Sequence, residues 1–458
     1  MTQAIGHVQI AGSHRLYVRT PDSESPATLA NLTPSSTLTM SHGATTRYHL
    51  LMREVDFIIV GQGLAGTCLA WELRGLGASV VVIDREATVT SSRVAAGLIT
   101  PVTGKRLVKT WRWEELRAAA WSFYRRIEIE LGCSLLRETS MVKVFASPLE
   151  RDYFEMRMPD PEYAGLLRET TELPKGLSAP LGSCELLQGG QLDVAKFLDR
   201  SRERFATEGC YVSGELSLPE DVRSYVRQNV GELEETSTSS PTSRISLEQS
   251  DAEQQVMSTG VCPPSGEGSY GENWPGVELP RHGLRAQKLI FCQGIDARSN
   301  PWFSNVEFNP ARGEMLIVRI PSWTEDRIIH GPVWIAPLAT GDQHLYRVGS
   351  TYDWTQLQSG PTPEGRRSLV ESLDQLLHVP YEIVDHQSAV RPILKHLNPV
   401  LGLHPRYPQW GYFNGLASKG ALQAPFFARQ FASQLVHQTP IERDVDIQHR
   451  VPWTMNNV

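Results

Sequence analysis

Three glycines, Gly61, Gly63 and Gly66, stand in GxGxxG spacing, and an acid, Asp84, follows 18 residues after the last of them. This spacing suits a diphosphate. The first glycine allows a tight strand-to-helix turn, the second lets the backbone approach a pyrophosphate, and the third lets the helix pack close on the sheet. The N-terminus of the helix that follows offers unpaired N–H groups and a partial positive charge to the anion. The elements that must position these residues are legible on either side. Phe57 to Val60 is a short apolar, β-branched run that predicts a buried parallel strand, and Thr67 to Leu76 predicts a helix rich in Ala and Leu. Ser79 to Ile83 predicts a second strand, which delivers Asp84 to ribose hydroxyls. A carboxylate there repels a 2′-phosphate. The stretch predicts binding of NAD or FAD and by itself leaves the two open.

The chain of 458 residues is long enough for two or three domains with large cores. Its formal net charge of −7 supplies no global basic field for nucleic acid or an anionic membrane surface. No apolar run approaches the 18 or so residues of a membrane span. The 6 cysteines show neither CxxC nor metal-ligand spacing, which predicts buried small hydrophobes in a reducing, cytoplasmic setting. His330 and His344 form no metal-ligand pair, no Ser–His–Asp order stands out, and a Walker glycine loop is absent. Residues 1–51 are rich in Ser, Thr and Ala, and Met52 stands just before REVDFIIV. The segment reads as a disordered extension or an over-long start, with a transit peptide as the alternative. An acidic, Ser- and Gly-rich stretch at about 228–273 reads as a disordered surface insertion in a hairpin.

AQKLIFCQG, from Ala286 to Gly294, is an apolar strand closed by glycine. Downstream come RGEMLIV from Arg312, YRVGSTYDW from Tyr346, VRPILKHLNPVLG from Val390 and NGLASKGALQAPFFARQFASQLV from Asn414. In order, spacing and content these segments resemble the FAD-dependent oxidoreductases of the D-amino-acid oxidase and glycine oxidase superfamily, over roughly residues 53–437. The resemblance implies an α/β fold: a Rossmann-like FAD-binding domain of the glutathione-reductase type, interleaved with an α+β substrate domain on a mixed or antiparallel sheet. On that template residues 52–107, 188–304 and 389–440 build the FAD-binding domain, residues 108–187 and 305–388 build the substrate domain, and 441–458 form a tail.

The same resemblance assigns roles. FAD takes the place of NAD, held without a covalent bond because nothing marks an attachment residue. Gly61, Gly63, Leu64, Ala65, Gly66, Asp84 and Arg85 hold its adenylate half, and SSRVAAGLITP brings Ser92, Ala96 and Gly97 beside the pyrophosphate and ring. Gly294 follows the returning strand. Gly415, Ser418, Lys419 and Gly420 enter a helix that begins near Ala421, whose dipole is suited to the negative charge of a reduced flavin. Arg391, in the Arg-Pro pair, is expected to grip a substrate carboxylate as a fork, with Tyr346 or Tyr352 assisting. Related chains commonly carry Asp where His396 stands, so the polar network beside Arg391 departs from the pattern. Trp111, Trp113 and Trp121 are expected in a core, and Arg112 on a solvated face.

The expected function is oxidation of a C–N bond in a small amino acid or secondary amine, by hydride transfer to flavin N5 with imine hydrolysis and reoxidation by dioxygen or another acceptor. The alternatives are a flavoenzyme of tRNA side-chain modification, against which the acidic balance argues, and a non-enzymatic flavin-binding protein.

Overall fold

The computed structural model describes residues 52–227, 276–338, 342–358, 360–395 and 398–453, with a few short strand segments elsewhere. The expected extension at 1–51, most of the acidic insertion and His396 lie outside the described residues.

The chain begins with β1 (Arg53–Val60), α1 (Leu64–Gly75) and β2 (Val80–Asp84). It continues through α2 (Trp113–Leu131), β3 (Met141–Val144), β4 (Ser183–Leu186), α3 (Val194–Thr207) and β5 (Tyr211–Ser213). Then follow β6 (Val277–Leu279), β7 (Leu284–Phe291), β8 (Ala311–Arg319), β9 (Ile328–His330), β10 (Trp334–Pro337) and β11 (Leu345–Gly349). The last are α4 (Pro363–Leu376), β12 (Glu382–Arg391), β13 (Val400–Leu403), β14 (Trp410–Asn414) and α5 (Gly420–His437).

Two large sheets result. In the first, β5, β2, β1, β7 and β14 pair in parallel, with β6 and β13 added antiparallel. Both faces of its central strands are covered, which is why β1 and β2 read as unbroken apolar runs and not as alternation. Phe57, Ile59, Val80 and Val82 face a core shared with α1, α2, α3 and α5. Ile58, Val60 and Val81 face a second core around Phe291, Phe303, Trp410 and Tyr412. Each such fully buried Val or Ile contributes about 1.5–3 kcal/mol.

The second sheet runs from an edge strand at 167–169 through β4, β3, β9, β10, β11 and β8 to β12, and is antiparallel except at the β3–β9 pair. Leu316, Val318, Tyr346 and Val348 face Leu369 and Leu373 of α4 on one side of it. The opposite side is turned toward the dinucleotide motif.

α5 contains Pro425, which removes a helical donor and leaves the carbonyl of Ala421 without its i+4 partner. The buried Tyr124 hydroxyl of α2 donates to that carbonyl at 2.8 Å. The helix therefore passes through the proline with its backbone satisfied. Among the described residues no helix is long and apolar enough to cross a membrane.

Candidate active site

A single cavity of about 760 Å³ runs from the GxGxxG turn to the second sheet. At its first end the walls are backbone. Gly61 has φ +104, and a side chain there would press within 2.5 Å of the Cys292 carbonyl. Gly66 does not line the cavity; a Cβ on it would overlap the Gly61 carbonyl, so its smallness sets the helix against the strand. α1 begins at Leu64, three residues before the expected Thr67, because Gly63 takes the extended N-cap conformation. No side chain of Gly63 caps the helix, while Ser92 Oγ accepts from Leu64 N at 3.2 Å. The remaining first-turn amides are left to a ligand.

Asp84 ends β2 with its carboxylate pinned by Gln62 N at 2.6 Å and Glu86 N at 2.7 Å. Each oxygen retains acceptor capacity for a hydroxyl. Arg85 turns to Asp296, 2.8 Å away. Ala96 and Gly97 line the middle of the cavity. Gly97, at φ +70, leaves no room for a side chain against the Leu192 carbonyl.

The N-terminus of α5 reaches the same cavity through Ser418, Lys419 and Gly420. Lys419 takes the N-cap position without a side-chain cap, so a second helix presents free amides. Its ammonium is half-buried, makes no ion pair among the described residues, and is held below its usual pKa by that burial. Gly415, at φ +85, lies behind this wall against Leu394. Asn414, a lining residue absent from the expected set, ties the two turns together: its amide donates to Gly294 O at 2.7 Å and its carbonyl accepts from Gly415 N at 2.8 Å.

At the far end the walls are side chains. Arg391 lies over Gly313, where a Cβ would overlap the guanidinium. It donates to Thr351 O at 3.2 Å and Ser350 Oγ at 2.7 Å, and its charge sits 4.1 Å from the centre of the Tyr352 ring. These partners are all neutral. Among the described residues no carboxylate pairs with Arg391, and burial holds its pKa below the usual value against a smaller opposing effect of Tyr352. Beneath the sheet, Arg312 binds Glu314 at 3.0 Å and Asp353 at 2.9 Å, and Glu314 accepts from Thr362 N and Oγ1 at 2.9 and 2.7 Å. These bonds fasten both ends of the loop that carries Tyr352.

The expected Tyr346 is not in the cavity. It pairs with Val318 and Pro337 and faces α4, its ring edge-on to Trp323 at 5.7 Å. The strand's alternation gives the cavity face to its neighbours Arg347 and Gly349, and Arg347 reaches Ala95 O at 2.8 Å. Trp334, Met315 and His330, absent from the expected set, do line the cavity. Trp113 is buried in the core, Trp121 packs against it, and Trp111 stacks on Phe427, all outside the cavity lining. Arg112 pairs with Glu115 and Glu442 instead of meeting a ligand.

A Gly-walled turn, a pinned acid, two uncapped helix N-termini and a long cavity ending on a second sheet define a dinucleotide-binding oxidoreductase architecture. The family model for FAD dependent oxidoreductases matches residues 56–235 and 267–434, and the chain belongs to that family. It is similar in fold to glycine oxidase from Geobacillus kaustophilus, at 16% identity and TM-score 0.62, over 88% of this chain and 99% of that one. Iminodiacetate oxidase from Chelativorans sp. BNC1 matches at 18% identity and TM-score 0.59, over 86% and 98% of the two chains. L-proline dehydrogenase from P. horikoshii matches at 12% and 0.58, over 85% and 95%. The cofactor is FAD, and the residues present fit it: free amides and Asp84 suit its adenylate half, and small residues at 95–97 leave space for a flat ring.

Proposed function

We propose that this flavoenzyme oxidises the C–N bond of a small amino acid or secondary amine whose carboxylate is bound by Arg391. One observation carries the reading: a half-buried guanidinium, lacking a carboxylate partner among the described residues, faces the cavity that begins at the dinucleotide motif. A buried cation without an anion is costly, and a substrate carboxylate supplies a bidentate partner. The Tyr352 ring and the two neutral acceptors fix the fork's plane, so the bound carboxylate sets the direction in which the substrate's Cα–H points. FAD supplies the hydride acceptor when bound. Lys419 and the α5 N-terminus place positive charge on the cavity wall, where they favour negative charge on the ligand beside them.

We further propose that FAD is held non-covalently. Cys292, the cysteine of the lining, has its thiol pushed well above the ordinary range by burial, which suppresses the thiolate. Dioxygen or another acceptor takes the electrons from the reduced flavin, and a small-molecule amine or amino acid is the partner the cavity calls for.

The test is anaerobic bleaching of the flavin by a panel of glycine, sarcosine, proline and D-amino acids. At least one member is expected to bleach wild-type protein, and Arg391→Lys is expected to stay yellow without being reduced. Equal bleaching of both proteins removes Arg391 from the substrate site.

A further inference from the structure

Two glycines leave gaps on one face of the second sheet, and each gap is filled by a side chain from a neighbouring strand. Gly313 and Met315 stand two apart on β8 and so share a side. Met315 is opposed by Gly349 on β11, and Gly349 by Trp334 on β10. Directly opposed residues in antiparallel strands project to one side, and this side is the cavity face, since Gly313, Met315 and Trp334 all line the cavity. Over Gly313 lies the Arg391 guanidinium. Over Gly349 lies the Trp334 indole: a Cβ built there would meet its Cζ2 and Cη2 at 2.7 and 3.1 Å, and Met315 Cβ at 3.2 Å. The far end of the indole is therefore low over β11, and the side chain leans across the sheet instead of standing from it. Gly349 itself does not line the cavity, because that ring covers it.

Gly313 and Gly349 are diagonal neighbours across the β8–β11 pair, about 7–8 Å apart. A carboxylate forked by the guanidinium takes up about 3 Å of that span, so a group one or two bonds beyond the carboxylate comes to lie against the indole. Glycine anchored at Arg391 leaves the indole uncovered. Arg347, two residues before Gly349 on the same side, donates to Ala95 O at 2.8 Å, and Gln191 Nε2 donates to Pro337 O at 2.9 Å and Ala96 O at 3.3 Å. These bonds fasten residues 95–97 to the two strands that carry Trp334 and Gly349, so that segment and the indole bound the same part of the cavity. The side chains around the anchor share a chemical preference. Trp334 and Tyr352 are aromatic rings and Met315 offers a polarisable thioether, and each gains more from an aromatic partner than from an aliphatic one of equal size.

We infer that Trp334 is a specificity-determining residue that receives an aromatic group carried close to the substrate's carboxylate. The carboxylate sits at Arg391 and the aryl ring lies against the indole, with Gly349 left bare so that the indole can lie low enough to make room. The substrate class is then an amino acid, primary or N-substituted, with an aryl group within two bonds of its Cα. The inference rests on the proposed role of Arg391 for its other anchor.

The test is equilibrium titration of the FAD-loaded full-length protein, read from the perturbation of flavin absorbance and requiring no turnover. The probes are acetate, phenylacetate and cyclohexylacetate. Acetate binding reports the Arg391 anchor by itself. Cyclohexylacetate buries at least as much apolar surface as phenylacetate, so it separates an aromatic contact from simple burial. Phenylacetate is expected to bind more than tenfold more tightly than acetate and about fivefold more tightly than cyclohexylacetate. In Trp334→Leu the two ring acids are expected to bind alike, and Trp334→Phe regains part of the preference. Gly349→Ala keeps Trp334 but pushes its ring off the sheet, and is expected to weaken phenylacetate more than acetate. Acetate binding with no gain for phenylacetate, no preference over cyclohexylacetate, or a preference that survives in Trp334→Leu overturns the inference and leaves Arg391 in place. Failure of all three acids to perturb the flavin removes the anchor, and the inference with it.

Discussion

The two ends of the cavity are built from different materials. At the dinucleotide end the contacts come from backbone amides and from the absence of side chains at Gly61, Gly63 and Gly97, within one local βαβ unit and its neighbours. At the other end they come from Arg391, Tyr352, Trp334 and His330, carried on four separate segments that only the sheet register brings together. A backbone site has little freedom to vary, because the fold itself makes it. A side-chain site can change ligand while the strands beneath it stay the same, and this is how one architecture serves many chemistries.

The sharpest break of that comparison is expected at Gly66. A valine there overlaps the Gly61 carbonyl, so Gly66→Val should abolish flavin content and cooperative folding together, read by visible absorbance and thermal melting. Arg391→Lys should leave both intact and lower kcat/KM for a responsive substrate by about 100-fold or more, since an ammonium cannot reproduce the fork. Gly313→Ala acts on the same cation indirectly, displacing its guanidinium without removing it. It should lower kcat/KM by about tenfold with full flavin content. Tyr124→Phe should lower stability by about 1–2 kcal/mol, a few degrees in Tm, by leaving the Ala421 carbonyl beside Pro425 unpaired. An unchanged melt would mean that another donor serves the carbonyl.

The same contrast explains what could be read from the sequence. Gly61, Gly63, Gly66 and Asp84 announce themselves because strand, turn, helix and acid are contiguous, and their physical roles follow from spacing. The helix start moved only from Thr67 to Leu64. Tyr346 illustrates the harder case: in β11 Tyr346 and Val348 are buried against α4 and Arg347 is half-buried on the other side, but the alternation does not say which side meets the cavity, and a shift of one position exchanges Tyr346 for Arg347. His330 and Trp334 carried a signal that went unused. HGPVW is a hairpin turn with Gly and Pro between two strands, which makes its flanking residues cross-strand partners on one face. Nothing local placed that hairpin beside Arg391, because five strands of non-consecutive order, β9, β10, β11, β8 and β12, lie between them or carry them.

The most direct measurement is a crystal structure of the FAD-loaded protein soaked with acetate. The diphosphate is expected against the amides at Gly63 to Ala65, and the ring between the α5 N-terminus and an acetate forked by Arg391. A flavin ring turned away from Arg391, or acetate bound elsewhere while that guanidinium keeps only its protein partners, would contradict the account.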